Sequence, residues 1–291
     1  AQLSSTIPDL LPPEYAKKLS ELQSNAPPMS WIFVRRRMKA ELGENWEKHF
    51  KKFDQEASYA ASLGQVHKAV LKTNENVACK LQYPDMDSAI NADLNQLKLV
   101  FSLYERIDSA ISTKDIHQEL SDRLREELDY QREALNMQLY RLMLAQESEV
   151  VLPEPIAQLS SDRVLTMSWV EGQKLTKYLE AEPSQEERNK VAINMFRTWY
   201  VPFYYYGVIH GDPHLGNYSI GEDLKINLMD FGSIRIFRPA FVGGVIDLYK
   251  ALRDGDNELA VHAYSQWGFS GLDKEAIDIL NIWAGFIYGP L

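Results

Sequence analysis

Residues 210–217 read His210-Gly211-Asp212-Pro213-His214-Leu215-Gly216-Asn217, and Asp230 follows thirteen residues beyond Asn217 within Leu228-Met229-Asp230-Phe231-Gly232. Two short β segments, 217–220 and 224–229, are predicted between them as a hairpin. A hairpin sets its two ends side by side, so the Asn217 amide and the Asp230 carboxylate can converge on one hard cation such as Mg2+. Asp212 lies five residues before Asn217 and supplies a carboxylate able to orient an attacking hydroxyl or accept its proton. Phosphoryl transfer needs this set of groups.

The kinase signature places Asp, four residues and then Asn in its catalytic loop, with Asp-Phe-Gly after it, and both halves match here in order. An ordinary turn at Asp212-Pro213 and an ordinary strand end at Asp230 would leave that shared spacing unexplained. His210 and His214 are four apart, but Pro213 opposes a helix through them and no third ligand stands out, which argues against zinc. His210 is read as a packing residue that shapes the loop.

A kinase-like site also needs a lysine on an upstream strand. Val77-Ala78-Cys79-Lys80 qualifies: period-two alternation puts Ala78 and Lys80 on one face, a small residue for the adenine and an ammonium for the phosphates, and turns Cys79 away. The preceding turn, Ala60-Ala61-Ser62-Leu63-Gly64-Gln65-Val66, carries one glycine where kinases carry several, so it is expected to be stiffer and to touch phosphate differently. Lys80 needs a carboxylate partner as well. A helix near 124–134 offers Glu126, Glu127, Asp129 and Glu133, with Glu126, Asp129 and Glu133 on one side. Composition does not choose among them.

Around these motifs the chain falls into three parts. Residues 1–48 are predicted helical, one helix opening at Pro12-Pro13 with Tyr15, Leu19 and Leu22 in register, and a second running from N-cap Ser30 to about Leu42 with Gly43 as its stop. Residues 49–171 form a small lobe, with strands over 65–72 and 76–83, a helical region from about 88 to 146 broken near 109–113, and strands over 151–159 and 163–169. Residues 172–291 are mainly helical. The fold class expected is α+β, a bilobal protein-kinase-like fold with a small β-sheet N-lobe carrying inserted helices, a helical C-lobe and a helical N-terminal extension.

The 291 residues include 31 Lys and Arg against 41 Asp and Glu, a net charge of -10. A negative body repels phosphate backbones, which disfavours nucleic acid as a partner. The Arg35-Arg36-Arg37 cluster with Lys39 reads as a solvated helix face. A single cysteine, Cys79, forbids an internal disulfide framework and suits a reducing compartment. No 18-residue apolar run and no secretory signal are visible. A start at Ala1 rather than Met is expected of a fragment.

The chain resembles the UbiB family of atypical kinases, named for ubiquinone biosynthesis. The resemblance rests on Ala60 to His67, Val77 to Pro84, Glu127-Leu128-Asp129-Tyr130-Gln131-Arg132-Glu133-Ala134, His210 to Asn217 and Asp230-Phe231-Gly232, in family order over nearly the whole chain. It implies that Glu133 partners Lys80, that Asp212 is catalytic, and that Ala60, Ala61, Ser62, Gly64, Gln65, Ala78 and Lys80 contact the nucleotide. Asn217 and Asp230 would hold the metal. Glu127 and Asp129 match the family's Glu-x-Asp pair, set near an extension with a Lys-x-Gly-Gln motif. Gln2 matches that glutamine, Ala1 replaces the glycine, and the lysine would precede residue 1.

The resemblance further implies ATP or ADP with Mg2+ in an interlobe cleft, ATPase or kinase activity, and support of polyprenyl-quinone biosynthesis. Quinone-precursor lipid, quinone-pathway proteins and a membrane surface are the implied partners, at a bacterial cytoplasmic face or on the mitochondrial matrix side. A small-molecule phosphotransferase of the aminoglycoside or choline kinase type also carries a His-Gly-Asp loop, but it leaves residues 60–67 and 127–134 unexplained. A non-catalytic nucleotide-binding scaffold is the third reading.

Overall fold

Strands β3 (Gly64–Leu71) and β4 (Asn76–Gln82) form the antiparallel pair at the centre of the first sheet, with Val66 opposite Lys80 and Ala69 opposite Val77. Asn74 closes their turn at φ 70°, a left-handed conformation that asparagine tolerates better than most residues. β6 (Val164–Ser168) extends the sheet beyond β4, while β1 (Phe50–Phe53) and β2 (Tyr59–Ala61) pair with opposite ends of β3. This computed structural model describes residues 28–61, 63–104 and 113–289. Ala1, Gln2, the helix expected after Pro12-Pro13, Ser62 and the break expected near 109 lie outside them.

One face of this sheet makes the core. Val77, Cys79 and Leu81 of β4 join Ala69, Leu71 and Val164 against Val34 and Met38 of α1 (Trp31–Leu42) and against Trp46 and Phe50. Val34 and Met38 are fully buried, a burial that stabilises by about 1.5–3 kcal/mol for each side chain. Trp46, Phe50 and Phe53 meet edge to face with centroids 5.3 to 5.9 Å apart. Ser30 is the N-cap residue of α1, and Gly43 ends it by donating to the Lys39 carbonyl.

The inserted helices are α2 (Met86–Tyr104), α3 (Thr113–Glu126) and α4 (Tyr130–Met143). The sequence pattern predicts an unbroken helix through 124–134, and the structure corrects it. The N–H groups of Leu128 and Asp129 turn back to the Arg125 and Glu126 carbonyls, and the Asp129 carboxylate then accepts from the Arg132 N–H at 2.9 Å. Aspartate is a strong N-cap and a poor interior helix residue, so it starts a new helix here.

A second sheet orders β5 (Val150–Val151), β10 (Ile226–Leu228), β9 (Tyr218–Ile220) and β7 (Gln173–Lys174). β5 is what remains of the strand expected over 151–159. Pro153 and Pro155 lack the N–H a ladder requires, so the chain continues into a short 3-10 turn at Ala157–Leu159 and keeps one bridge, from Pro155 to Met167. α5 (Leu175–Glu180) and α6 (Gln185–Tyr206) follow.

The chain divides into two compact units: the described residues through Val191 together with Pro213–Ser233, and Ala192–Asp212 together with Ile234 onward. The boundary expected at 171/172 lies inside the first. The second contains the antiparallel pair β8 (Val208–His210) and β11 (Ile234–Ile236), then α7 (Pro239–Asp254), α8 (Asn257–Gln266) and α9 (Lys274–Tyr288). Its core is built from Leu248, Ala251, Ala260, Ala263, Tyr264 and Ala284. Small residues let α7 and α8 approach closely. A Cβ on Gly244 would sit 2.8 Å from the Trp267 indole nitrogen.

Candidate active site

The face of β4 turned away from the core carries Ala78, Lys80 and Gln82, as period-two alternation requires. Lys80 meets the first turn of α4. Because Asp129 sets where that helix begins, Tyr130 and Glu133 fall three residues apart on one face. Lys80 Nζ donates to both Glu133 oxygens, at 2.7 and 2.8 Å, and to Asp230 Oδ2 at 3.2 Å. The same ammonium lies 5.1 Å from the centroid of the Tyr130 ring, within cation–π range.

Burial works against the charge on Lys80, but Asp230 and Glu133 outweigh it and hold its pKa well above the ordinary value. Burial raises the Glu133 carboxyl against the pull of Lys80, and the negative charge of Asp230 in the same neighbourhood raises it further. The ammonium is thus held firmly cationic, and Glu133, 2% exposed, is committed to it.

Asp230 is placed by the residues that follow it. Phe231 is fully buried, edge-on to Tyr140 at 5.5 Å, and its carbonyl accepts from Asn136 Nδ2 at 2.9 Å. Gly232 N–H bonds Asp230 Oδ1, so the two carboxylate oxygens have separate partners. The hairpin of β9 and β10 ends with Tyr218 opposite Leu228, and the next bond runs from Met229 N–H to the Asn217 carbonyl at 3.0 Å. Asn217 therefore stands across the ladder from Met229, the residue before Asp230. Among the described residues no group of three or more His, Cys, Asp or Glu could hold a metal by itself. Mg2+ in phosphoryl-transfer sites takes one or two protein oxygens and completes its shell with phosphate and water. The hard oxygen donors of Asn217 and Asp230 fit that demand.

Asp212 ends the first segment of the second unit, and its N–H donates to Nδ1 of His210, a buried residue of β8. His214 Nδ1 accepts from Gly216 N–H. Both histidines thus serve the backbone of their own loop, which matches the packing role read for His210.

The alanine-rich stretch is a tight hairpin, Ala60 opposite Gln65 and Ala61 opposite Gly64. A Cβ on Gly64 would lie 2.2 Å from the Leu81 carbonyl oxygen, so only glycine lets the two strands meet there. Gln65, expected at the nucleotide, points to the opposite face of β3. It is 1% exposed; its Oε1 accepts from Met29 N–H at 2.7 Å and its amide donates to His67 Nε2 at 2.6 Å. His67 Nδ1 faces the Asp54 carbonyl at 2.8 Å and must carry the proton, and burial lowers the pKa of the ring and keeps it neutral. Cys79 is fully buried below the sheet, where burial pushes its thiol up to about 12.

The four carboxylates left open by composition now separate. Glu133 holds Lys80, Glu126 pairs with Arg123 and Arg132, Asp129 caps α4, and the Glu127 side chain lies beside Gly232. Two residues of the quoted motifs were given no role by the sequence reading. Gln82 donates to the Leu128 carbonyl at 3.1 Å and ties β4 to the helix break, and Tyr130 packs on Lys80. Period two from Lys80 would have found Gln82; Tyr130 carried no signal.

Residues 21–264 match the family model described as the ABC1 atypical kinase-like domain. The chain is 31% identical over 294 residues to Atypical kinase coq-8, mitochondrial, of Caenorhabditis elegans, covering 99% of this chain and 38% of that protein. It is 31% identical over 274 residues to Atypical kinase COQ8, mitochondrial, of Saccharomyces cerevisiae, covering 92% and 54%. It is 32% identical over 258 residues to Protein ACTIVITY OF BC1 COMPLEX KINASE 7, chloroplastic, of Arabidopsis thaliana, covering 88% and 37%. The chain thus spans about two-fifths to half the length of these relatives. Among solved structures, the complex of Rv3197 with erythromycin from Mycobacterium tuberculosis superposes with a TM-score of 0.68 at 27% identity, covering 89% of this chain and 65% of that one.

Proposed function

Because the chain belongs to the family of ABC1 atypical kinase-like domains, the UbiB type, and has its bilobal kinase-like α+β fold, we propose that it is an atypical kinase or ATPase acting on Mg-nucleotide. One observation carries the reading: a buried strand lysine gripped by both oxygens of Glu133, with the Asp230 carboxylate of the Asp-Phe-Gly turn on the same ammonium. Lys80 orients the nucleotide phosphates and Glu133 fixes its ammonium. Asn217 and Asp230 are the residues that would hold Mg2+, which when bound neutralises charge on the β- and γ-phosphate oxygens. Asp212 takes the proton of the attacking hydroxyl or orients it. Ala60, Ala61, Ser62, Gly64 and Ala78 shape the nucleotide side, and Glu127 and Asp129 face the family's N-terminal extension.

The mitochondrial relatives coq-8 and COQ8 support a role in the ubiquinone pathway; a membrane face, quinone-precursor lipid and quinone-pathway proteins as partners are what the family resemblance adds to the proposal. Among the described residues no helix is long and apolar enough to cross a membrane. The deciding experiment measures ATP binding and turnover with Mg2+, with and without a quinone-precursor lipid, in wild type and Asp230→Asn. Mg-dependent turnover that Asp230→Asn loses is the expected result. Binding without turnover favours the scaffold reading, and no Mg-nucleotide binding by wild type overturns the assignment.

A further inference from the structure

Tyr130 is the first residue of α4 and is 1% exposed, yet its phenolic hydroxyl has no hydrogen-bond partner among the described residues. A buried polar group left in that state is costly and needs an explanation. Its surroundings supply one. The ring packs on the Lys80 ammonium at 5.1 Å, and Glu133 one turn on spends both oxygens on that ammonium rather than on the phenol. The hydroxyl oxygen itself lies 2.9 Å from where a Cβ on Gly64 would be, at the end of the alanine-rich hairpin. Glycine at 64 therefore leaves no side chain between this hydroxyl and the hairpin backbone.

Resting on the nucleotide reading above, we propose that Tyr130 is a further phosphate-binding residue, whose hydroxyl donates a hydrogen bond to an anionic phosphate oxygen of the nucleotide beside Lys80. A neutral O–H next to a fixed ammonium is a donor pair, and the group that accepts from both is an anionic oxygen. Burial raises the phenol pKa, so the proton it would donate is present throughout the neutral range.

The test uses Tyr130→Phe in the full chain, with Mg-ATP and Mg-ADP binding followed by calorimetry and thermal unfolding measured without nucleotide. Loss of a partnerless buried hydroxyl leaves the apo Tm unchanged or higher, whereas loss of a hydrogen bond to a charged group weakens nucleotide binding about tenfold or more. Tyr178→Phe on α5, which removes another partnerless buried hydroxyl, leaves binding unchanged. If Tyr130→Phe binds nucleotide like wild type while Lys80→Met does not, the Tyr130 inference fails and the nucleotide reading survives. If Tyr130→Phe loses affinity and Tm together, the hydroxyl is structural and the inference also fails. If wild type binds neither nucleotide, the underlying reading fails first.

Discussion

Lys80→Met removes the ammonium from Glu133 while keeping most of the side-chain volume, so its effect reports charge rather than packing. Glu133 is 2% exposed, and stranding a buried carboxylate costs up to about 3–5 kcal/mol. The carboxyl can avoid that cost by taking a proton. With Lys80 present, burial already raises it from 4.5 to about 7. Between those values the folded protein holds a proton that the unfolded chain has released, so wild-type stability falls as pH rises. Without the ammonium the folded pKa climbs above 7, and the fall continues in the variant after it has ended in wild type. The deficit of Lys80→Met is therefore smaller at pH 6 than above pH 7, where it grows by about 1.4 kcal/mol per unit, to about 2 kcal/mol more at pH 8.5. Urea unfolding of wild type, Lys80→Met and Lys80→Met/Glu133→Gln at both pH values measures it. The double variant carries no stranded charge and is the more stable of the two at pH 8.5. A deficit that is equal at both pH values, or a double variant no better than the single, refutes the reasoning.

Asp129→Ala costs about 1 kcal/mol of stability and Asp129→Asn far less, because asparagine caps equally well; equal losses in chemical denaturation would show that the carboxylate acts otherwise. Cys79, fully buried with its thiol raised to about 12, resists iodoacetamide at pH 8 in the native protein and reacts in guanidinium; stoichiometric native labelling within minutes would contradict its placement. Ala61→Gly loosens the hairpin opposite Gly64 and shifts the ratio of ATP to ADP affinity toward ATP, measured by calorimetry; an unchanged ratio removes the hairpin from nucleotide selection.

What the residues disclosed in advance follows from how each element is specified. β3 and β4 were readable because two runs of seven or eight residues rich in strand formers flank a turn-forming Lys72-Thr73-Asn74. β8 and β11 were not: they are as short as β9 and β10 but are not consecutive in the chain, so no hairpin turn marks them as a pair. The break at 127–129 hides in a run of good helix formers, and the capping signal of Asp129 shows only once its neighbours stop bonding as helix. That break is also what separates the four acidic residues, so composition alone had no means to choose among them. Gln65 failed differently. Its motif position was clear, but its face depends on the register Val66 to Lys80, which is a property of the pair of strands.

The polypeptide passes between its two units at 191/192, at 212/213 and again at 233/234. With three passages, no single protease cut and no early stop codon can yield one unit free of the other. A product ending at 171 would lack β7, β9 and β10 as well as Asn217 and Asp230. During synthesis the ribosome must move beyond Asp230 before Lys80 can meet the second of its two carboxylates, 150 residues downstream. Deletion mapping would therefore report misfolding rather than function, and single-residue substitutions are the means of dissecting this chain.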